Sequence, residues 1–267
     1  MNLKKYFTLV RAGIMNELQY RGATFVIILG NLVYLVVVYF LWKAIFASSG
    51  REVVNGMTFE STLIYLVLAT TLFNFMELYA VWEIGRNIQT GKIVLDLLRP
   101  MSYQSYLFWS FAGSLILNFF TTFLPTFVVV AIVTHGRISF GMNLVYFVPS
   151  VVLSVLVNYS IDYIVGTICL FTESIWGINI MKQVIVLLFS GVTIPLAFFP
   201  ATFKSIAYCL PFRAIYDSPL TLLLSNNPQF GDAFRILGLQ LLWAIALTIL
   251  SKAFWSISIR RITVNGG

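Results

Sequence analysis

Apolar residues run in six long blocks, at 23–46, 61–81, 107–133, 144–171, 183–199 and 236–256, and most of the charged residues sit between them or at their ends. A helix rising about 1.5 Å per residue needs about 20 apolar residues to cross about 30 Å of hydrocarbon. The fifth block is the shortest and carries Pro195. The pattern predicts an all-α membrane protein, a single domain over 1–267 with six transmembrane helices.

The intervals have structure of their own. In residues 1–22, Leu3, Phe7, Val10, Ile14 and Leu18 fall at helical spacing, with Lys4, Lys5 and Arg11 off that stripe. Two readings stand: an amphipathic helix lying in the cytoplasmic interface, or a leader that only sets orientation. Its charges leave no uninterrupted apolar core, so it reads as retained rather than as a removable signal peptide. The interval after the second block runs from Glu83 through Gly91 to Pro100 and on to Tyr106. Ile84, Ile88, Ile93, Val94, Leu97 and Leu98 are mixed there with charges, as a short amphipathic helix, a break at Gly91 and a second helical turn ending before Pro100 require. A tether has no use for an apolar face, so this is read as a docking surface. Pro195, Pro200, Pro211, Pro219 and Pro228 crowd the region from the end of the fifth block to the sixth. Proline breaks helices, so 200–235 reads either as short re-entrant helices on the outer face or as a structured outer loop.

Charge fixes the orientation. Of 17 basic residues, 11 (Lys4, Lys5, Arg11, Arg21, Arg86, Lys92, Arg99, Lys182, Lys252, Arg260 and Arg261) lie in the segments on one side, which places both termini in the cytoplasm. Composition then narrows the chemistry. The chain is 59% apolar and 10% charged, which excludes an ordinary soluble domain. Two cysteines, Cys169 and Cys209, and one histidine, His135, argue against zinc and against histidine catalysis, and His135 reads as a polar loop residue. Glu77 and Asp162 fall within the second and fourth blocks and form a possible intramembrane polar site. They either serve a proton or a substrate, or reach headgroup water or pair with Arg86 or Lys182. The aromatic residues at block ends, such as Trp42, Tyr79, Trp82 and Trp109, fit interfacial anchors. Gly85 and Gly91-Lys92 fail the phosphate-loop pattern, because five residues separate the glycines and Ile93 follows the lysine.

Glu83-Ile84 through Gly91-Lys92-Ile93, then Asp96-Leu97-Leu98-Arg99-Pro100, resembles the segment of an ABC-2-type transporter permease that leads into its third span. Ile194-Pro195-Leu196 through Phe199-Pro200, with Leu210-Pro211-Phe212, resembles that family's second recurrent region. The resemblance implies a multi-pass permease of a prokaryotic plasma membrane that exports an amphiphilic substrate such as a lipid, a drug or a peptide. It implies that 83–106 holds a coupling helix for an ABC ATPase dimer. Glu83, Arg86, Lys92, Asp96 and Arg99 would be the contacts, and Gly91 and Pro100 would set the shape. The N-terminal stripe would be the connecting helix. It implies a second permease, identical or sibling, to complete the pathway, with lipid around both and no nucleic-acid partner. No cofactor belongs to this chain; ATP and magnesium belong to the partner ATPase. A self-sufficient channel or secondary carrier, and an intramembrane enzyme, are the competing classes. One histidine supplies neither a protease base nor a ligand cluster.

Overall fold

The computed structural model describes residues 3–19, 21–134, 141–172, 174–225 and 230–261. His135 and Pro228, each given a place in the sequence reading, lie outside the described residues. Twelve helices follow in chain order among the described residues: α1 Leu3–Gln19, α2 Arg21–Ser49, α3 Phe59–Met76, α4 Ala80–Gln89, α5 Ile93–Leu97, α6 Tyr103–Asn118, α7 Leu124–Val133, α8 Met142–Ile168, α9 Ile175–Phe189, α10 Ala201–Cys209, α11 Asp217–Leu224 and α12 Phe230–Ser258. Among the described residues, five stretches are long and apolar enough to cross a membrane: Leu29–Ser49, Phe59–Gln89, Tyr103–Val133, Met142–Ile168 and Phe230–Ser258. The second combines α3 and α4, and the third combines α6 and α7. The chain is thus an all-α membrane protein, with α3 and α8 at the centre and α2, α6–α7 and α12 largely exposed around them.

The fifth predicted span needs correction. Its helix is α9, Ile175–Phe189, which starts earlier and stops earlier than 183–199. Fifteen residues make about 22 Å of helix, short of the about 30 Å hydrocarbon thickness. The apolar run continues past Phe189, but Gly191 takes a left-handed φ of +80° and turns the chain. Apolarity persisted where helical conformation did not.

The second span is broken. α3 ends at Met76, Glu77 and Leu78 leave the helix, and Tyr79 adopts φ +50° before α4 begins at Ala80. An interrupted helix in lipid must have its freed backbone groups satisfied by protein. Here the Asn158 side-chain amide on α8 donates to the Met76 carbonyl at 2.9 Å. Asn158 belongs to a buried polar stripe on α8, Ser150, Ser154, Asn158 and Asp162, repeating every four residues. The Ser150 hydroxyl donates to Gln240 Oε1 of α12 at 2.8 Å, and the Ser154 hydroxyl donates to the Ala214 carbonyl at 2.8 Å. The Gln240 amide also donates to Ala214, at 2.9 Å. The chain is therefore fastened inside the bundle at Ala214, to a point twelve residues along α8, and α11 returns from there to the level of Asn143, which donates to the Leu223 and Ser225 carbonyls. Two ion-paired side chains seal the fold-back: Arg213 Nε donates to Asp217 Oδ2 at 2.8 Å, and the Tyr65 hydroxyl donates to Asp217 Oδ1 at 3.2 Å.

α1 does not lie apart from the bundle. It runs along α6, with Tyr6 against Trp109 at 5.2 Å between ring centroids. Gly13 and Gly113 let the two backbones touch: a Cβ on Gly13 would stand 2.5 Å from the Ser110 carbonyl, and one on Gly113 would collide with the Val10 carbonyl. The packed face is centred on these glycines, and Phe7 and Leu18 of the predicted stripe stay exposed. Close backbone approach, rather than side-chain size, selects the face.

Two local features complete the frame. Asn55-Gly56, both at positive φ, form the turn of a two-stranded hairpin, Val53–Val54 against Met57–Thr58, and Thr58 with Ser61 forms a capping box on α3. Between α6 and α7, Phe119–Phe123 winds as a π-helix. Phe119, Phe123, Phe127 and Phe147 stack there at 5.5 to 6.0 Å with near-parallel rings.

Candidate functional site

The segment after the α3–α4 break has the form its sequence dictates. α4 ends at Gln89, Gly91 turns the chain at φ +72°, α5 is a five-residue helix, and Pro100 follows. α4 is wedged into the bundle. A Cβ on Gly85 would stand 2.7 Å from the Ile175 side chain of α9, and one on Gly166 of α8 would stand 2.6 Å from that of Ile84. α5 is turned outward: Leu95 and Leu98 are 66% and 77% exposed, and Val94 and Leu97 are exposed beside them. Such a small helix cannot hold an apolar face in water by itself, so its anchoring matters.

That anchor is Asp96. Its side chain is 1% exposed, which departs from the surface contact role the sequence assigned it. Its Oδ2 accepts from the Asn87 amide at 3.2 Å, and its Oδ1 accepts from Arg99 Nε at 3.0 Å. The same Asn87 amide reaches the Tyr103 hydroxyl at 3.4 Å, which joins α4, α5 and α6 through buried groups. Arg99 also lies over the Tyr106 ring at 4.2 Å. Glu83 and Lys92 meet across the Gly91 turn at 3.5 Å and are partly exposed. Arg86 is exposed and makes no ion pair among the described residues. Of the five charges in this segment, Arg86 alone is wholly uncommitted, Glu83, Lys92 and Arg99 remain reachable, and Asp96 is internal. Gly91 and Pro100 sit at the two bends.

The intramembrane carboxylates come together. Glu77, Asp162 and Lys182 line one cavity of about 30 Å³, with Asn158, Asn179 and Tyr216 among the other walls. Lys182 Nζ donates to Asp162 Oδ1 at 2.8 Å, and both side chains are largely buried, at 15% and 3% exposed. A buried carboxylate requires such a partner. Glu77, at the helix break, also lines a second and larger cavity between α1, α6 and the break. The sequence reading missed Asn179, Asn158 and Tyr216. A signal for the two amides existed, because Asn158 precedes Asp162 by four residues and Asn179 precedes Lys182 by three, placing each beside its charge on one helix face. Tyr216 had none, since only the fold-back brings it here.

Among curated proteins, none matches the chain. A family model described as ABC-2 family transporter protein matches residues 32–266, a stretch that takes in the broken second span, the α4–α5 segment, the polar cavity and the fold-back. Members of that family are the membrane components of transporters, normally work with an ATPase partner and are not themselves the catalytic enzyme. This multi-pass membrane protein therefore belongs to the ABC-2 transporter family.

Proposed function

We propose that the chain is the permease subunit of an ATP-binding-cassette exporter. In this reading it forms half of a pathway for an amphiphilic substrate and is driven by a separate ATPase dimer that docks on α5. The observation that carries the reading is α5 itself, a helix of one turn that presents Val94, Leu95, Leu97 and Leu98 while a buried Asp96 fixes its seat. An apolar surface held out by buried polar bonds is suited to a soluble partner with an apolar groove. Arg86 and the Glu83–Lys92 pair border that surface and would set the partner's register. The second permease, identical or sibling, supplies the other wall, and α9 completes the six spans as the fifth in order, accommodated by local thinning of the bilayer around its short length.

Affinity isolation of the tagged protein from its native membrane in mild detergent tests this. A stoichiometric ATPase chain that is retained by the wild type and lost on Leu98→Asp supports the reading. Ion- or proton-driven flux through liposomes holding this chain alone would replace it with a carrier.

A further inference from the structure

We infer that the two cavities that share Glu77 in their walls form a binding site for an organic amine, the smaller one taking its cationic end. The inference rests on the transport role proposed above and names the class of cargo.

Around the smaller cavity, Lys182 is committed to Asp162 at 2.8 Å, and no ion pair joins Glu77 to any described residue. In the larger cavity, of about 350 Å³, Glu83 is paired with Lys92, while Glu17 and Glu77 are not paired with a cation among the described residues. Glu77 accepts from the Tyr79 hydroxyl and is attracted by Lys182, which is already bonded to Asp162, so the combined walls still carry surplus negative charge, and a bound cation would relieve the cost of burying it.

Asn179 is 4% exposed, lines the smaller cavity and has no hydrogen-bond partner among the described residues. A buried carboxamide is ordinarily satisfied, so its oxygen can accept from a donor bound in the cavity that the side chain lines. An ammonium group supplies up to three donors and one positive charge, which matches this oxygen and the Glu77 carboxylate together.

Size assigns the two ends of the ligand. The smaller cavity, about 30 Å³, holds one or two water-sized groups and so suits an ammonium. The larger cavity has Tyr79, Tyr106 and Phe111 in its walls and receives the apolar body. Glu77, Leu78 and Tyr79 line both, so the ligand would cross from one to the other at the helix break.

The test uses the purified full-length protein in detergent, with phenethylammonium as probe and phenethyl alcohol and 3-phenylpropanoate as its neutral and anionic counterparts. Binding is read by isothermal titration and by the shift in thermal unfolding. The ammonium should bind, and the neutral and anionic probes should bind at least about tenfold more weakly, the value of one charged hydrogen bond. Glu77→Gln and Asn179→Leu should each weaken the ammonium by about tenfold, while Glu52→Gln, on the exposed far side, should leave it unchanged. Equal binding of all three probes, or wild-type affinity in both cavity variants, would overturn the inference. Should Glu77→Gln elute as aggregate, Asn179→Leu and Glu17→Gln decide. Retention of an ATPase chain is measured separately, so a permease that binds no amine and a chain that is no permease give different results.

Discussion

Removing the Lys182 amine is the sharpest probe of the bundle interior. The Nζ–Oδ1 distance is 2.8 Å, and the side chains are 15% and 3% exposed. At an effective dielectric of about 20 that separation corresponds to about 6 kcal/mol of attraction, largely offset by the desolvation of both groups. Lys182→Met keeps the side-chain length and leaves Asp162 buried without its partner, which costs about 3–5 kcal/mol. Asp162→Asn should cost a similar amount by stranding the ammonium. The double variant should be far less damaging than the sum, because two neutral groups of similar volume replace the pair. The assay is reversible unfolding in mixed micelles followed by tryptophan fluorescence, with all four corners of the cycle measured. The expected coupling is at least about 2 kcal/mol in favour of the wild-type pair. Additive losses, or a Lys182→Met cost below about 1 kcal/mol, would refute a desolvated pair and leave a solvated contact of the kind worth about 0–1 kcal/mol.

Other sites give independent checks. Asn158→Leu strands the Met76 carbonyl at the helix break and should cost about 1–3 kcal/mol, with faster hydrogen exchange confined to 76–80. Gly113→Val forces α1 away from α6, so trypsin should cut at Lys4, Lys5 or Arg11 markedly faster, with about 1–3 kcal/mol lost in unfolding. Arg86→Glu should reduce ATPase retention while leaving the thermal midpoint within a degree or two, whereas Asp96→Arg should lower the midpoint by several degrees, because it places a cation among Asn87, Arg99 and Tyr103. The reverse order of these two effects would show that Asp96 is the contact and Arg86 the anchor.

What the sequence disclosed followed what it encodes locally. The long apolar runs, the bend at Gly91 and the stop before Pro100 need only composition and backbone sterics, and they were legible. The break at Glu77–Tyr79 was not, because no proline or glycine marks it. It exists because Asn158, eighty-two positions away, takes up the Met76 carbonyl. The inward turn of Asp96 was hidden for the same reason, since a charge in a short loop reads as solvated until Asn87 and Tyr103 are seen around it. α1 misled by its stripe: the largest apolar side chains suggested one face, and two small residues chose another. At the cavity, Glu77 and Asp162 stood out as charges in apolar blocks, whereas the neutral amides beside them drew no notice.

The π-wound turn at Phe119–Phe123 bears on how this chain tolerates change in length. A π turn holds one residue more than the α-helical path between the same two ends. Loss of a single residue from Thr121-Thr122 can be absorbed by relaxation to α-helix, and the register of the aromatic column beyond it, Phe127 against Phe147 through Phe123, survives. The same loss a turn later, within α7, has no slack to draw on and rotates everything after it by about 100°. This short stretch is the place in the third span where a deletion is forgiven.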